Sequence, residues 1–464
     1  MKFIGREKEL KIIKKVIDSS EQENILIYGR RRIGKSFLIK KALEHLECKI
    51  IHYQCKEISL ENTLEDLTKN ILDVFNIKLN IVFNTFDEIL DFLFKQNEKV
   101  VFVIDEYPYL LRKIEGLDSI IQNKIDMYKY SSSLKLIISG SQIDIMKDML
   151  EYAHPLYGRF NEIINLKEHN YLDTSKYYLN YPLDDKVKLY SVFGGEPLFN
   201  SKVLSEKTVI ENIVELMIKE DSFIELTINN LLNSELSKVS NANDVLLAIA
   251  LGARKNEEIV AKAHLESSAK LNPTLKYLLK LDLIEKRTPI NDKNNKKKTL
   301  YYIKNNAFRF YYRYIYKNYN ARNNMNPYDF YKDFIEEDFE NKFIPYVFED
   351  ISKQYLLLLN MASLIKPFFA EIGSYWYDDK ASRTNGQFDI VTMDKNGYIF
   401  YEVKYSKNKV NQSVVNEEIS QLNRLNMPYY NLGFISKSGF DLKEKNEYIL
   451  ITLEDIYDLN LKVA

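Results

Sequence analysis

Ile25-Leu26-Ile27-Tyr28-Gly29-Arg30-Arg31-Arg32-Ile33-Gly34-Lys35-Ser36-Phe37 is the stretch that decides how the first third of the chain folds. The apolar run Ile25–Tyr28 reads as a buried strand. The residues from Gly29 to Ser36 fit G-x-x-x-x-G-K-[ST] at every fixed position. Glycine permits a tight loop, so the backbone N–H groups of Gly29, Arg30, Arg31, Arg32, Ile33 and Gly34 can wrap the phosphates of a nucleotide. Lys35 brings a cation to the outer phosphates and Ser36 an oxygen for magnesium. The helix predicted over Phe37–Leu46 points its positive end at the same anion. The guanidiniums of Arg30, Arg31 and Arg32 read as solvated loop charges rather than catalytic groups.

Working outward, Val100–Ile104 is a second apolar strand, and it ends in Asp105-Glu106. Paired carboxylates there suit a magnesium-associated Asp105 and a Glu106 that orients the attacking water. Leu134–Ile138 is a third strand, followed by Ser139-Gly140-Ser141. Those hydroxyls either sense the outer phosphate or close a turn. Apolar strands alternating with helical segments predict a parallel sheet covered on both faces, an α/β fold. Arg159, in Pro155-Leu156-Tyr157-Gly158-Arg159, offers a permanent charge for the transition state or pairs with a surface acid. Such a finger can act within one chain or on a neighbour, so a homo-oligomer stays open.

Phe3-Ile4-Gly5-Arg6-Glu7-Lys8-Glu9-Leu10 resembles the opening of a family of archaeal and bacterial AAA-like ATPases in the signal-transducing, STAND-related branch. The loop at Gly29–Ser36, Val103–Glu106 with Tyr107, Ser139–Ser141, Pro155–Arg159 and Gly194-Gly195-Glu196-Pro197 follow in that family's order. The resemblance implies a P-loop ATPase core over 1–170 that binds ATP with magnesium. It further implies that Arg6 lies near the base of the nucleotide, that Phe37 belongs to the nucleotide-contacting segment, that Arg159 is the finger, and that Gly194–Pro197 opens a helical lid over 171–238.

Helical segments at Val245–Leu251, Asn256–Ala261 and Thr274–Leu281, then strands either side of a polar tip, predict a winged helix-turn-helix over 239–320. Lys293, Lys296, Lys297 and Lys298 at the tip contact phosphate backbones or keep a solvated loop soluble. The aromatic stripe Phe308–Tyr314 reads as helix core, and Asn320–Pro327 as a polar linker. An α/β domain is predicted over 328–464. In it, Glu402 and Lys404 project from one face of an alternating strand, and a hairpin would set Asp389 beside them. Asp389 and Glu402 suit magnesium, and Lys404 a role with the attacking water. Glu349 is a further candidate acid–base or metal group. The same charges also fit an ordinary exposed hairpin. Residues 328–430 resemble the restriction-endonuclease-like PD-(D/E)XK domain, with Glu371–Trp376 in the segment before the first metal aspartate; Gln387 and the missing proline before Asp389 depart from it.

Composition limits the alternatives. At 464 residues, several domains are expected. Sixty-five Lys plus Arg balance 66 Asp plus Glu, so any nucleic-acid surface is a local patch. Cys48 and Cys55 read as reduced hydrophobes, and no apolar signal region or membrane-length run appears, which predicts a cytoplasmic chain. Two functions follow: an ATP-driven switch joined to a magnesium nuclease acting on DNA, or a signalling or DNA-binding ATPase with a non-catalytic scaffold.

Overall fold

The computed structural model describes residues 3–78, 81–236, 239, 241–293, 295, 299–379, 384–443 and 447–458. It divides into two compact units, Met1–Glu168 and His169–Ala464.

In the first unit, β1 (Glu23–Tyr28), β2 (Lys49–Gln54), β3 (Val100–Asp105), β4 (Lys135–Gly140) and β5 (Glu162–Asn165) form one sheet in the order β2-β3-β4-β1-β5. Every pairing is parallel. Every residue of β3 and of β4 is buried, as continuous apolar runs require when helices cover both faces of a sheet. Alternate side chains divide between those faces. Ile25, Ile27, Val101, Val103 and Ile137 pack with Ile13 and Val16 of the Glu7–Asp18 helix and Leu38 of the Lys35–Leu43 helix. Leu26, Phe102, Ile104, Leu136 and Ile138 turn the other way, onto Leu67, Leu90 and Ile121. Parallel strands share their carboxyl ends, so the loops after β1, β3 and β4 gather at one edge. Because β4 lies between β1 and β3, Ser139 falls between the Gly29–Ser36 loop and Asp105.

The second unit opens with helices and reaches an antiparallel hairpin, β6 (Ile284–Arg287) and β7 (Leu300–Ile303), after helices Ala242–Ala250, Asn256–Lys262 and Ser268–Lys280. The Ile344–Met361 helix leads into a mixed sheet. Its strands include β8 (Glu371–Asp379), β9 (Thr384–Asp394) and β10 (Gly397–Lys404), which are joined antiparallel. A small parallel pair, β11 (Val410–Asn411) and β13 (Phe440–Asp441), flanks it, while β12 (Tyr429–Ser436) and β14 (Ile449–Thr452) extend it in parallel. The order is β14-β12-β10-β9-β8, and the Gln412–Arg424 helix crosses from β11 to β12.

The predicted lid, hairpin region and last domain share one continuous apolar core, running from Tyr171 through Val245, Phe310 and Val347 to Tyr457. The stripe Phe308, Phe310, Tyr311, Tyr312 and Tyr314 is buried within it. The expected linker is a correction. Asn320–Pro327 is largely helical, within Tyr319–Asn324 and Pro327–Tyr331. Arg322, with its side chain 3% exposed, pairs there with Glu225. A polar composition looked like a linker because the partner that allows burial of this charge lies 97 residues away.

The basic tip is described only in part. Lys296, Lys297 and Lys298 lie outside the described residues, but Lys293 pairs with Glu371. Ile290 donates its N–H to Ser374 O at 2.8 Å. Asn291 donates to Trp376 O at 2.8 Å and accepts from its N–H at 3.1 Å. These contacts fall on β8, the edge strand, whose open backbone groups need partners. Among the described residues no helix is long and apolar enough to cross a membrane.

Candidate functional site

The loop after β1 takes its shape from two glycines for different reasons. A Cβ at Gly29 would sit 2.4 Å from Leu166 O, so close backbone approach requires glycine. Gly34 has φ 96°, a conformation that side chains resist, with open space around it. Lys35 Nζ donates to Gly29 O at 2.9 Å and Arg30 O at 3.1 Å, which holds the ammonium over the loop. The outer charges are tethered: Arg30 pairs with Glu168 at 3.4 Å and Arg31 donates to Tyr109 Oη at 2.9 Å. Arg32 takes φ 68°. Ile33 is buried in the core beneath. The Phe3 and Phe37 rings meet at 5.4 Å, and Arg6 donates to Lys167 O, so the amino-terminal segment lies against the loop's helix.

Asp105 is the best-connected carboxylate here. Its Oδ2 accepts from Ser36 Oγ at 2.6 Å. Its Oδ1 accepts from Ser139 Oγ, and from Glu106 N at 3.0 Å. Burial pushes this carboxyl up, but the nearby His52 and the hydrogen bonds from Ser139 and Ser36 outweigh it and hold it at about 2. Ser36 and Asp105 thus form a hydroxyl–carboxylate pair whose chemistry fits a magnesium ion. Glu106 stands at φ 57°, a strained position for a side-chain-bearing residue. Its Oε2 accepts from Ser141 N at 3.2 Å and Ser141 Oγ at 2.7 Å. The carboxylate is fixed beside the loop edge, where it can orient water. Sequence reasoning missed His52, whose Nε2 lies 3.8 Å from Asp105 Oδ2. Only the β2–β3 register, His52 beside Val103, brings it there.

Arg159 lies at the other end of the sheet. Its carbonyl accepts from Asn24 Nδ2 at 2.7 Å, and Asn24 is near the start of β1, whereas the loop follows the end of β1. At about 3.3 Å per residue, the strand separates the two by roughly 15 Å. The option of a finger acting within its own chain is therefore corrected. Arg159 instead forks onto Asp126, Nε at 3.3 Å and Nη2 at 2.9 Å.

In the second unit, the β9–β10 pairing ends with Ile390 and Tyr401; Asp389 and Glu402 are the residues that follow on each strand, within electrostatic reach of one another. Lys404 donates to Glu402, and Gln387 Nε2 to Asp389 Oδ1 at 2.7 Å. Burial raises the Asp389 carboxyl, and the Glu402 charge adds to it against the Gln387 bond. Burial, then Asp389, Asp350 and Glu402, push Glu349 up to about 9. Glu418, on the crossing helix and unforeseen in the sequence, is raised to about 7 by burial and Glu402. Crowded carboxyls of this kind fit a divalent cation, with Asp389 and Glu402 the pair that could hold it. Among the described residues, however, no three His, Cys, Asp or Glu side chains converge closely enough to hold a metal.

An all-parallel sheet whose first strand feeds a glycine-bounded lysine loop, with a buried aspartate bonded to the loop serine, defines a P-loop nucleotide-hydrolase domain. Residues 3–199 match the family described as an ATPase domain predominantly from Archaea. The chain thus carries an ATP-binding ATPase domain. Residues 311–416, which hold Glu349, Asp389, Glu402 and Lys404, match a family of archaeal and bacterial proteins of unknown function. An uncharacterized protein of Methanocaldococcus jannaschii is 28% identical over 460 residues, covering 98% of this chain and 99% of the relative. An uncharacterized ATP-binding protein of the same organism is 28% identical over 140 residues, 24% of this chain and 39% of that protein. The Walker-type ATPase of Pyrococcus abyssi is 20% identical, with a TM-score of 0.48 over 67% of this chain and 96% of that one.

Proposed function

We propose that the protein is an ATP-hydrolysing switch coupled to a magnesium-dependent, nuclease-like domain that acts on DNA. The observation that carries the second half is Lys404 bonded to Glu402, with Asp389 within electrostatic reach of Glu402 just past the last β9–β10 pair. In this reading Ser36 and Asp105 hold magnesium on ATP, Lys35 neutralises the outer phosphates and Glu106 orients the attacking water. Arg6 and Phe37 flank the nucleotide, and Arg159 serves a neighbouring copy in a homo-oligomer. A lid at 171–238, a winged helix at 239–320 and a restriction-endonuclease-like domain at 328–464 are the working parts of the second unit, and the protein works in the cytoplasm. Magnesium bound by Asp389 and Glu402 would supply Lewis-acid polarisation of a phosphodiester. Lys404 would position the water, and protonated Glu349 could give a proton to the departing oxygen.

A second reading, a DNA-binding or signalling ATPase with a non-catalytic last domain, is favoured by the lack of three converging metal-binding side chains among the described residues. Plasmid and single-strand cleavage with magnesium or manganese, with and without ATP, separates the two. Cleavage lost in Asp389→Ala and altered in Lys35→Ala supports the switch-nuclease. Measurable ATP hydrolysis without cleavage by the wild type supports the scaffold.

A further inference from the structure

The Ile344–Met361 helix carries Tyr346, Glu349 and Asp350 within one turn. Glu349 belongs to the acid cluster already described. Tyr346 and Asp350 belong to a second cluster, with no part in the proposed reactions so far. Tyr346 stacks on Tyr302 of β7, with centroids 6.2 Å apart and planes at 12°. Arg254 and Arg287 each lie 4.4 Å from the Tyr302 ring, and Arg309 lies 4.5 Å from the Tyr346 ring. Guanidiniums favour such ring faces, but here several like charges are gathered on one stack.

The local carboxylates fall unevenly among them. Asp350 pairs with Arg287 at 2.9 Å and stands 3.9 Å from Arg309. Glu285 takes Arg287 Nε at 2.6 Å. Arg254 donates its guanidinium to Ile249 O at 2.6 Å, and the Glu258 carboxylate accepts from its backbone N–H at 2.8 Å rather than from the guanidinium. Arg309 is 4% exposed; its Nη2 donates to Ile303 O at 2.8 Å, while its Nη1 is buried with no hydrogen-bond partner. A guanidinium cannot relieve such crowding by losing its proton. A buried, unpaired donor on a fixed charge is costly unless an anion meets it. Burial, with the charges of Arg309 and Arg287, presses the Arg254 pKa down, which reflects the same repulsion.

The cluster also borders the acids. The Arg287 charge acts on both Asp389 and Glu349. Glu349 and Asp350 are neighbours on the Ile344–Met361 helix, so one turn carries both an acid of the first cluster and the partner of Arg287. The geometry points to a phosphate seat: Arg254 and Arg287, braced on Tyr302 and backed by the buried Arg309, bind a backbone phosphate of a DNA strand whose neighbouring phosphodiester reaches Asp389 and Glu402. Planar guanidinium forks match phosphate oxygens in pairs. These arginines are positioning residues, and their role rests on the DNA-acting reading above.

The test is binding of fluorescein-labelled DNA by the full chain in EDTA, followed by anisotropy over a salt series. Arg254→Gln should weaken binding about tenfold and lower the salt slope by about one, the loss of a single phosphate contact. With magnesium, its cleavage defect should lie in KM rather than kcat, and its ATP hydrolysis should match wild type. Tyr302→Leu removes the ring that braces Arg254 and Arg287 and should weaken binding in the same direction; it carries the test if the melting curve shows that Arg254→Gln does not fold. Wild-type affinity and slope in a folded variant overturn the seat, as does a wild type that binds no DNA. Binding that depends on Arg254 without any cleavage leaves the seat standing and removes the nuclease. Cleavage unaffected by either variant does the reverse.

Discussion

Asp105 and Asp389 are both strand aspartates in acidic sites, and their surroundings do opposite things to them. Asp105 closes a fully buried parallel strand, yet the nearby His52 and the bonds from Ser139 and Ser36 overcome that burial and hold it ionised down to about 2. Asp389 sits on an antiparallel strand near the surface, and desolvation by the protein around it and the Glu402 charge push its carboxyl up. Around it Glu349 and Glu418 rise to about 9 and about 7, burial being the first cause of each. The first site is organised before any ligand arrives. The second holds more carboxyl groups than donors, so its full ionisation awaits a cation. Preorganised donors suit a fast, repeated electrostatic task; crowded acids suit metal loading that can be switched.

The largest effect that tests this contrast is at the loop. Lys35→Ala removes the ammonium that Gly29 O and Arg30 O hold in place. ATP hydrolysis, read as phosphate release, should fall by at least about 100-fold. Asp389→Asn comes next: magnesium-dependent cleavage should drop about 100-fold or more, while ATP hydrolysis changes by less than about twofold. If Asp389→Asn also abolished ATP hydrolysis, the two sites would not be independent, and the contrast would describe one machine rather than two.

The first site was legible in the sequence because its parts are contiguous. Gly29–Ser36 and Asp105-Glu106 each carry their chemistry within a short run, and one turn or one strand end presents it. The parallel sheet followed from unbroken apolar runs such as Val100–Ile104. Illegible parts depend on long-range pairing. His52 reaches Asp105 through strand register, and Glu418 reaches the acids through a crossover helix. Arg254, Arg287 and Arg309 come from separate elements, and no local pattern marks them as a group. The linker failed for the same reason: Arg322 looks like a solvated charge until Glu225 is found beside it.

A smaller effect tests the electrostatics directly, and its sign differs between the sites. Asp105 has a folded pKa of about 2 against an ordinary value of 3.8. Its contribution to stability is present above the unfolded value and is lost as pH falls through about 2. Glu349 has a folded pKa of about 9 against 4.5. The folded state keeps a proton that the unfolded chain releases, so this contribution is present below 4.5 and is lost as pH rises through about 9. Hydrogen exchange at about pH 5.5 and about pH 8.5 should therefore show the second unit, and not the first, opening more readily at the higher pH. Magnesium should offset that loss, and Glu349→Gln should flatten it. Equal protection at both values would remove the crowding from the account.

The smallest effect separates the edge of the C-terminal sheet from its charged face. Lys293 pairs with Glu371, but its side chain remains 50% exposed. A pair so open to solvent is worth about 0–1 kcal/mol. Lys293→Ala should therefore move the melting temperature of the full chain by only a few degrees at most, about the shift expected for 1 kcal/mol. The hairpin stays docked because Ile290 and Asn291 keep their bonds to Ser374 and Trp376. DNA affinity and its salt slope should stay at wild-type values, because this lysine is committed to β8 and phosphate binding is assigned to Arg254 and its neighbours. A slope lowered by about one in Lys293→Ala would put this part of the tip on the DNA after all. The same drop in Arg254→Gln with no change in Lys293→Ala would confine the contact to the arginine cluster on Tyr302.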